Sequence, residues 1–417
     1  MREMKDSGVP WLKEIPVSWK VERGKNVLVL QKRPIRENDE VVTCFRDGEV
    51  ILRSLRRTEG FTMSDKEIGY QGINEGDIVI HGMDGFAGAM GVSKSTGKGS
   101  PVLIVCTPKY DAIPQYVIYY LRALAMTDVF VALATGIRER SCDLRWNKVS
   151  ELEFIMPSSS EQQAIVEFLD RKCAEVDEMI ALQEQIIEEL KAYKQSVITE
   201  SVTKGLNPTA PMRDSGIEWI GQIPEHWEVC RGKNVLVLQK RPVRDNDEVV
   251  TCFRDGEVIL RSLRRTEGFT MSDKEIGYQG INEGDIVIHG MDGFAGAMGV
   301  SKSTGKGSPV LVVCSPKYDA VPQFIVYYLR ALAIMDVFVS LATGIRERSC
   351  DLRWNKISEL PFILPSSTEQ QAIADYLDEK CADIDSLIQT KQSKIDSLKE
   401  YKKSIIYEYV TGKREVE

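Results

Sequence analysis

The chain has 417 residues, 43% hydrophobic and 28% charged, with a formal net charge of −8. That is the balance of an ordinary protein able to bury real cores, and no apolar run approaches the ~20 residues needed to cross a bilayer. Met1-Arg-Glu-Met-Lys-Asp also lacks the apolar stretch of a secretory signal, so a cytoplasmic location is expected.

Four segments follow in chain order: a globular domain at 1–159, a helix at 160–205, a second domain at 206–367 and a second helix at 368–412. The domains are copies. Gly24 to Lys148 returns without a gap as Gly232 to Lys356, offset by 208, and only 11 of the 125 aligned positions differ. A repeat of this length is a whole domain, not a solenoid unit. Gly24 to Pro157 carries 17 basic and 17 acidic residues, whereas Glu161 to Gly205 carries 10 acidic against 5 basic. The acidity therefore sits in the helix and leaves the domain free to present a local basic face.

The first domain opens with Asp6-Ser-Gly-Val-Pro-Trp11 through Ile15-Pro-Val-Ser-Trp19, which recurs at Asp214–Trp219 and Ile223–Trp227. Short β-like runs follow between Gly, Asp and Asn turns: Asn26–Leu30, Val41–Phe45, Glu49–Leu52, Asp77–His81 and Val102–Cys106. One helix-like stretch, Pro114 to Leu133, ends before Thr135-Gly136. An α+β class is expected: two tandem globular α/β domains, each followed by a long helix.

Ser158-Ser-Ser160 before Glu161 supplies cap candidates for the first long helix. Leu169, Cys173, Val176, Ile180, Gln183, Ile187, Leu190, Lys194 and Val197 then repeat at spacings of 4 and 3. Leu377, Cys381, Ile384, Ile388, Lys391, Ile395, Leu398, Lys402 and Ile405 do the same in the second copy. A 3.5-residue period held this long is a coiled-coil seam, so the helices are expected to pair antiparallel. The alternative is two amphipathic helices, each packed on its own domain. Lys204-Gly-Leu-Asn-Pro-Thr-Ala-Pro211 reads as the linker.

Catalytic motifs are rejected one by one. Gly91-Val-Ser-Lys-Ser-Thr-Gly97-Lys98-Gly99 has five residues between its glycines where a phosphate loop has four, and Gly99 replaces the Mg²⁺-binding hydroxyl. Gly82, Gly85, Gly88 and Gly91 recur every third residue, which suits a tight turn or close backbone approach. His81 and His289 belong to no spaced ligand set and read as turn or core histidines. Asp77 and Asp84 lack the lysine of a nuclease triplet. The nine cysteines form four repeat-matched pairs plus Cys230, with no C-x-x-C, so reduced thiols are expected and neither zinc nor a redox motif is indicated.

Basic clusters remain. Arg53, Arg56 and Arg57 group three guanidinium ions, Lys94 and Lys98 lie among small hydroxyl residues, and Arg138, Arg140, Arg145 and Lys148 combine cation, aromatic and amide. Such types reach phosphates and base edges. Each recurs, at Arg261, Arg264, Arg265, Lys302, Lys306, Arg346, Arg348, Arg353 and Lys356. The competing reading is a solvated surface of local salt bridges, with Glu139 and Asp143 available as partners.

The layout resembles the specificity subunits of type I restriction-modification systems. The marks are the Asp-Ser-Gly-x-x-Trp…Ile-Pro…Trp openings, Gly76–Ile80 and Gly284–Ile288 before a glycine loop, and Thr-Gly-Ile-Arg through Glu-Gln-Gln-Ala-Ile at Thr135–Ile165 and Thr343–Ile373. The resemblance covers essentially the whole chain. It implies a non-catalytic subunit with two target-recognition domains, each reading half of a bipartite site in double-stranded DNA. It also implies helices that act as spacer and dock modification subunits, two of them expected, with restriction subunits as further partners. The chain itself would bind no cofactor or metal, S-adenosylmethionine being carried by the modification subunits. A stand-alone DNA-binding regulator and a coiled-coil protein scaffold are the alternatives. Members of the family keep their helices alike and let their target domains differ; here the target domains are nearly identical and the helices diverge. An interrupted palindrome is therefore expected in place of an asymmetric site.

Overall fold

The structure is a computed structural model that describes residues 2–56, 68–109, 111–127, 129–130, 144–264, 276–317, 319–340 and 352–416. It divides into two units, Met1–Glu184 with Ser393–Glu417, and Gln185–Gln392. Each unit therefore holds one globular domain together with a length of both long helices.

In the first unit the opening segment, unassigned from sequence, forms a hairpin of β1 (Met4–Val9) and β2 (Leu12–Pro16). β3 (Lys20–Arg23) leads into a helical turn, α1 (Gly24–Val27). The strand expected from Asn26 thus starts only at Leu28. The turn presses Gly24 against the Val149 carbonyl, where a side chain would have no room. β4 (Leu28–Leu30), β5 (Val42–Cys44), β6 (Val50–Leu52), β7 (Gln71–Ile73), β8 (Ile78–His81), β9 (Met90–Val92), β10 (Gly97–Gly99) and β11 (Leu103–Pro108) follow. Next come α2 (Pro114–Met126), α3 (Trp146–Glu151) and β12 (Glu153–Met156). The central sheet runs β4-β11-β8-β9, every pair antiparallel; β5–β6, β7–β10 and β3–β12 are separate antiparallel pairs.

Strand alternation gives this sheet two buried faces. Ile78, Ile80, Ile104 and Cys106 face one core with α2, while Val79, Leu103 and Val105 face a smaller one with Val42, Val50 and Ile73. α2 starts with Pro at its first turn and buries eight residues, so it is a core helix, not a half-exposed one. Its tyrosines place their hydroxyls on defined acceptors: Tyr120 donates to the Glu153 carbonyl at 2.7 Å, Tyr119 to Asp170 Oδ1 at 2.6 Å and Tyr116 to the Ile155 carbonyl at 2.8 Å. Buried phenols require such partners.

The second unit repeats this domain, with its four-stranded sheet in the same order and a core helix at Pro322–Ile334. That helix is shorter than the expected span. Asp336 adopts φ 55° and a separate turn, Val337–Ser340, follows.

The long helices are Ser159–Lys204, of 46 residues, and Ser367–Val410, of 44. Ser158 caps the first: its Oγ accepts from Glu161 N while Glu161 Oε2 accepts from Ser158 N at 3.1 Å, a capping box. All eighteen seam positions are buried or half-buried. In the first unit Phe168 stacks near Tyr409, 4.3 Å between centroids, and Lys402 Nζ reaches Asp177 Oδ2 at 2.6 Å. Moving forward on one helix moves backward on the other, so the pair is antiparallel. In the second unit Lys194 bonds Asp385 at 2.7 Å, and Val197 and Val202 join Ile373, Leu377 and Cys381 in one core. The two alternatives posed by the seam both hold in part. The helix ends are built into domain cores, Leu169, Cys173 and Ile405 in the first and Val197 in the second, while the helices also pair with each other.

Candidate nucleic-acid interface

The Glu-Gln-Gln motif at each helix start is architectural. Glu161 Oε1 accepts from Trp19 Nε1 at 3.2 Å, and buried Gln162 accepts from Ile113 N and donates to the Pro157 carbonyl. The second copy repeats this through Trp227, Glu369 and Gln370, and His226 adds a 2.9 Å contact to Glu369. These contacts tie the opening segment, core helix and long helix together, so the motif fixes how the domain is mounted.

The first basic cluster is engaged with carboxylates. Arg56 ion-pairs with Asp47 and with Glu49 at 3.0 Å and lies 4.3 Å over the Phe45 ring; Lys94 also reaches Glu49 at 3.0 Å. The Arg56 hydrogen bond holds the Asp47 carboxyl below its ordinary pKa. Arg53 donates to Thr43 Oγ1 at 3.1 Å. Arg264, Lys302 and Arg261 make the same contacts in the second copy. Asp47 and Glu49 thus offset the charges of Arg56 and Lys94, which weakens these two as phosphate contacts. The partners come from the β5–β6 turn; Glu139 and Asp143 lie outside the described residues, as do Arg57, Arg138, Arg140, Arg265, Arg346 and Arg348. Lys98 pairs with Gly72 across β7–β10, so strand alternation turns it away from the face that carries Gln71. Lys306 pairs likewise with Gly280.

Arg145 lies elsewhere, on a cleft of about 900 Å³. Residues from five distant stretches form it, among them Lys32, Tyr70, Met83 and Trp146. Gly82 makes this possible: a side chain there would meet the Leu144 and Val102 carbonyls at 2.8 and 2.9 Å, and Leu144 N donates to Gly82 O at 2.9 Å. The turn after β8 is thereby joined to the start of α3, bringing Met83 beside Arg145. The glycine loop thus serves close backbone approach. His81 is a turn histidine, its Nδ1 accepting from Asp84 N at 3.0 Å. Half-buried Lys148 and Lys356 sit one turn into the short helices that begin at Trp146 and Trp354; Arg353 precedes the latter and is exposed. Lys32 opens a basic run with Arg33 and Arg36 that the sequence reading passed over, whereas Tyr70 and Met83 lie in no cluster; the cleft brings the three together in space.

Among the described residues no group of histidine, cysteine, aspartate or glutamate is placed to hold a metal ion, and no helix is long and apolar enough to cross a membrane. Burial pushes the Cys44 and Cys106 thiols up to about 12, which leaves them unreactive.

No family model matches the sequence. It is 22% identical over 427 residues to the putative type I restriction enzyme MjaX specificity subunit of Methanocaldococcus jannaschii, covering 96% of this chain and 94% of that protein. It is 27% identical over 257 residues to the EcoBI specificity subunit of Escherichia coli, covering 56% of this chain and 52% of the other. Among solved structures, a chain from a study of complex assembly and conformational transition in the type I R-M system superposes with a TM-score of 0.72 at 14% identity, over 96% of this chain and 99% of that one. The HsdS subunit from Thermoanaerobacter tengcongensis gives 0.53 at 15% identity, over 96% and 98%. In fold, the chain is similar to these type I restriction-modification chains over 96% of its length. This chain runs globular domain, helix, globular domain, helix, and the cleft at Arg145 belongs to the first globular domain.

Proposed function

We propose that this chain is the DNA-recognition subunit of a type I restriction-modification complex and performs no chemistry of its own. Each globular domain reads one half of a bipartite site in double-stranded DNA, and the paired helices dock two modification subunits. Those partners carry S-adenosylmethionine and the methyl transfer, and restriction subunits join the same assembly. The observation that carries this reading is the match of the whole element order, along 96% of the chain, to solved specificity subunits.

The repeat sharpens the expected site. Asp177 pairs with Lys402 and Lys194 with Asp385, and adding or removing 208 turns one pair into the other. Each unit thus carries the same ion pair between the two antiparallel helices. Near-identical reading surfaces on antiparallel helices favour inverted half-sites separated by unread bases. Deleting the gene should abolish methylation at one motif in the host genome, and restoring it should bring that motif back. Unchanged methylation throughout would count against the reading. The purified chain alone, given S-adenosylmethionine or ATP, should neither methylate nor cut DNA.

A further inference from the structure

We propose that Lys32, Tyr70 and Met83, with Lys240, Tyr278 and Met291 in the second domain, select the bases of each half-site. The assignment rests on the DNA-recognition reading above and names the side chains that perform it. Most polar groups around the cleft are spent on holding its shape. Gln31 Nε2 donates to Thr107 Oγ1 at 2.8 Å, Gln71 Nε2 to the Leu103 carbonyl at 2.8 Å, and Arg33 is locked on Asp77, itself 3% exposed. Lys32 and Tyr70 stand apart: among the described residues neither makes a hydrogen bond or ion pair. Lys32 is exposed, Tyr70 half-buried, and Met83 is 55% exposed at the cleft rim, matched by 57% at Met291.

The backbone beneath Met83 is fixed. Gly82 N donates to the Val102 carbonyl at 2.9 Å and Asp84 N to His81 Nδ1 at 3.0 Å. A rigid turn that holds a methionine at the cleft rim saves the backbone part of the ordering cost on binding, while the flexible side chain adapts to its contact. The three chemistries are complementary. An ammonium bonds guanine O6 and N7, a phenol donates or accepts at a base edge and stacks, and a polarizable thioether suits the thymine methyl. Arg56 and Lys94, by contrast, already have carboxylates. None of the 11 differences between the copies touches these positions, so both domains make the same choice.

The test uses the full chain assembled with its modification subunits, and duplexes carrying the methylated motif with every single-base change. Paired variants are Lys32→Ala with Lys240→Ala, Tyr70→Phe with Tyr278→Phe, and Met83→Ala with Met291→Ala. Each pair should lose about tenfold discrimination at one position of both half-words while its affinity for unrelated DNA stays within about twofold. Uracil in place of thymine should weaken the wild type at one position and leave the methionine variant unaffected. Equal weakening on every duplex, or discrimination unchanged, overturns the assignment. A wild-type complex that prefers no duplex overturns the recognition reading itself, so the two failures are distinguishable.

Discussion

Between Gly24 and Lys148 the two copies differ at 11 of 125 positions, whereas between Val166 and Gly205 only 17 of 40 match. The helices drifted without losing their pairing, because packing constrains only one stripe of a long helix. Six of the nine seam positions are identical between copies, Leu169, Cys173, Ile180, Ile187, Leu190 and Lys194 with their partners. Asp177, which faces Lys402, is kept as Asp385. The domains kept even exposed side chains that packing does not need, such as Leu55 and Met83, 68% and 55% exposed. A helix pair is thus specified by a seam, whereas the domains keep surface residues beyond what packing requires.

The largest effect that would break this contrast comes from proline. Ile180→Pro or Ile388→Pro should cost ~3 kcal/mol or more in the helix, abolishing capture of a modification subunit while isolated target domains remain folded. Helical content by circular dichroism and pull-down check both halves; undiminished capture would remove the docking role from the helices.

A smaller effect is already written into the copies. Tyr116 is Phe324 in the second domain, so that domain lacks the hydroxyl that bonds the Ile155 carbonyl. Tyr116→Phe should cost about 1 kcal/mol in urea unfolding and leave DNA preference alone. Smaller still is the exchanged ion pair. A double-mutant cycle on Lys194 and Asp385, to alanine, should give about 0.5 kcal/mol, with the same value at Lys402 and Asp177. Unequal values would show that the two ends of the helix pair have diverged in energy as well as sequence.

Last comes pH. Burial, more than the opposing pull of Asp84, holds His81 below its ordinary pKa of 6.5, and His289 behaves alike. The unfolded chain therefore takes up protons first, and stability falls as pH drops below about 6.5. His81→Asn with His289→Asn should flatten that part of a Tm–pH profile.

Much of this was legible in the sequence because it is local or periodic: the duplication, the seam, the capping serines and the glycine loop. The rest joins distant residues. β3 pairs with β12 across some 130 residues of chain, Glu153 lying opposite Arg23, and no period announces such a partner. The carboxylates that pair with Arg56 and Lys94, Asp47 and Glu49, come from the β5–β6 turn and meet them only in the fold. Lys32, Tyr70 and Met83, distant in sequence, meet only around the cleft that also holds Arg145.

The central claim is that two near-identical domains, each followed by a long helix, read one word twice. Single-molecule methylation sequencing of the host, with and without the gene, measures this directly. The account predicts one gene-dependent motif made of inverted copies of a single short word flanking a fixed number of unread bases; two unrelated half-words would contradict it.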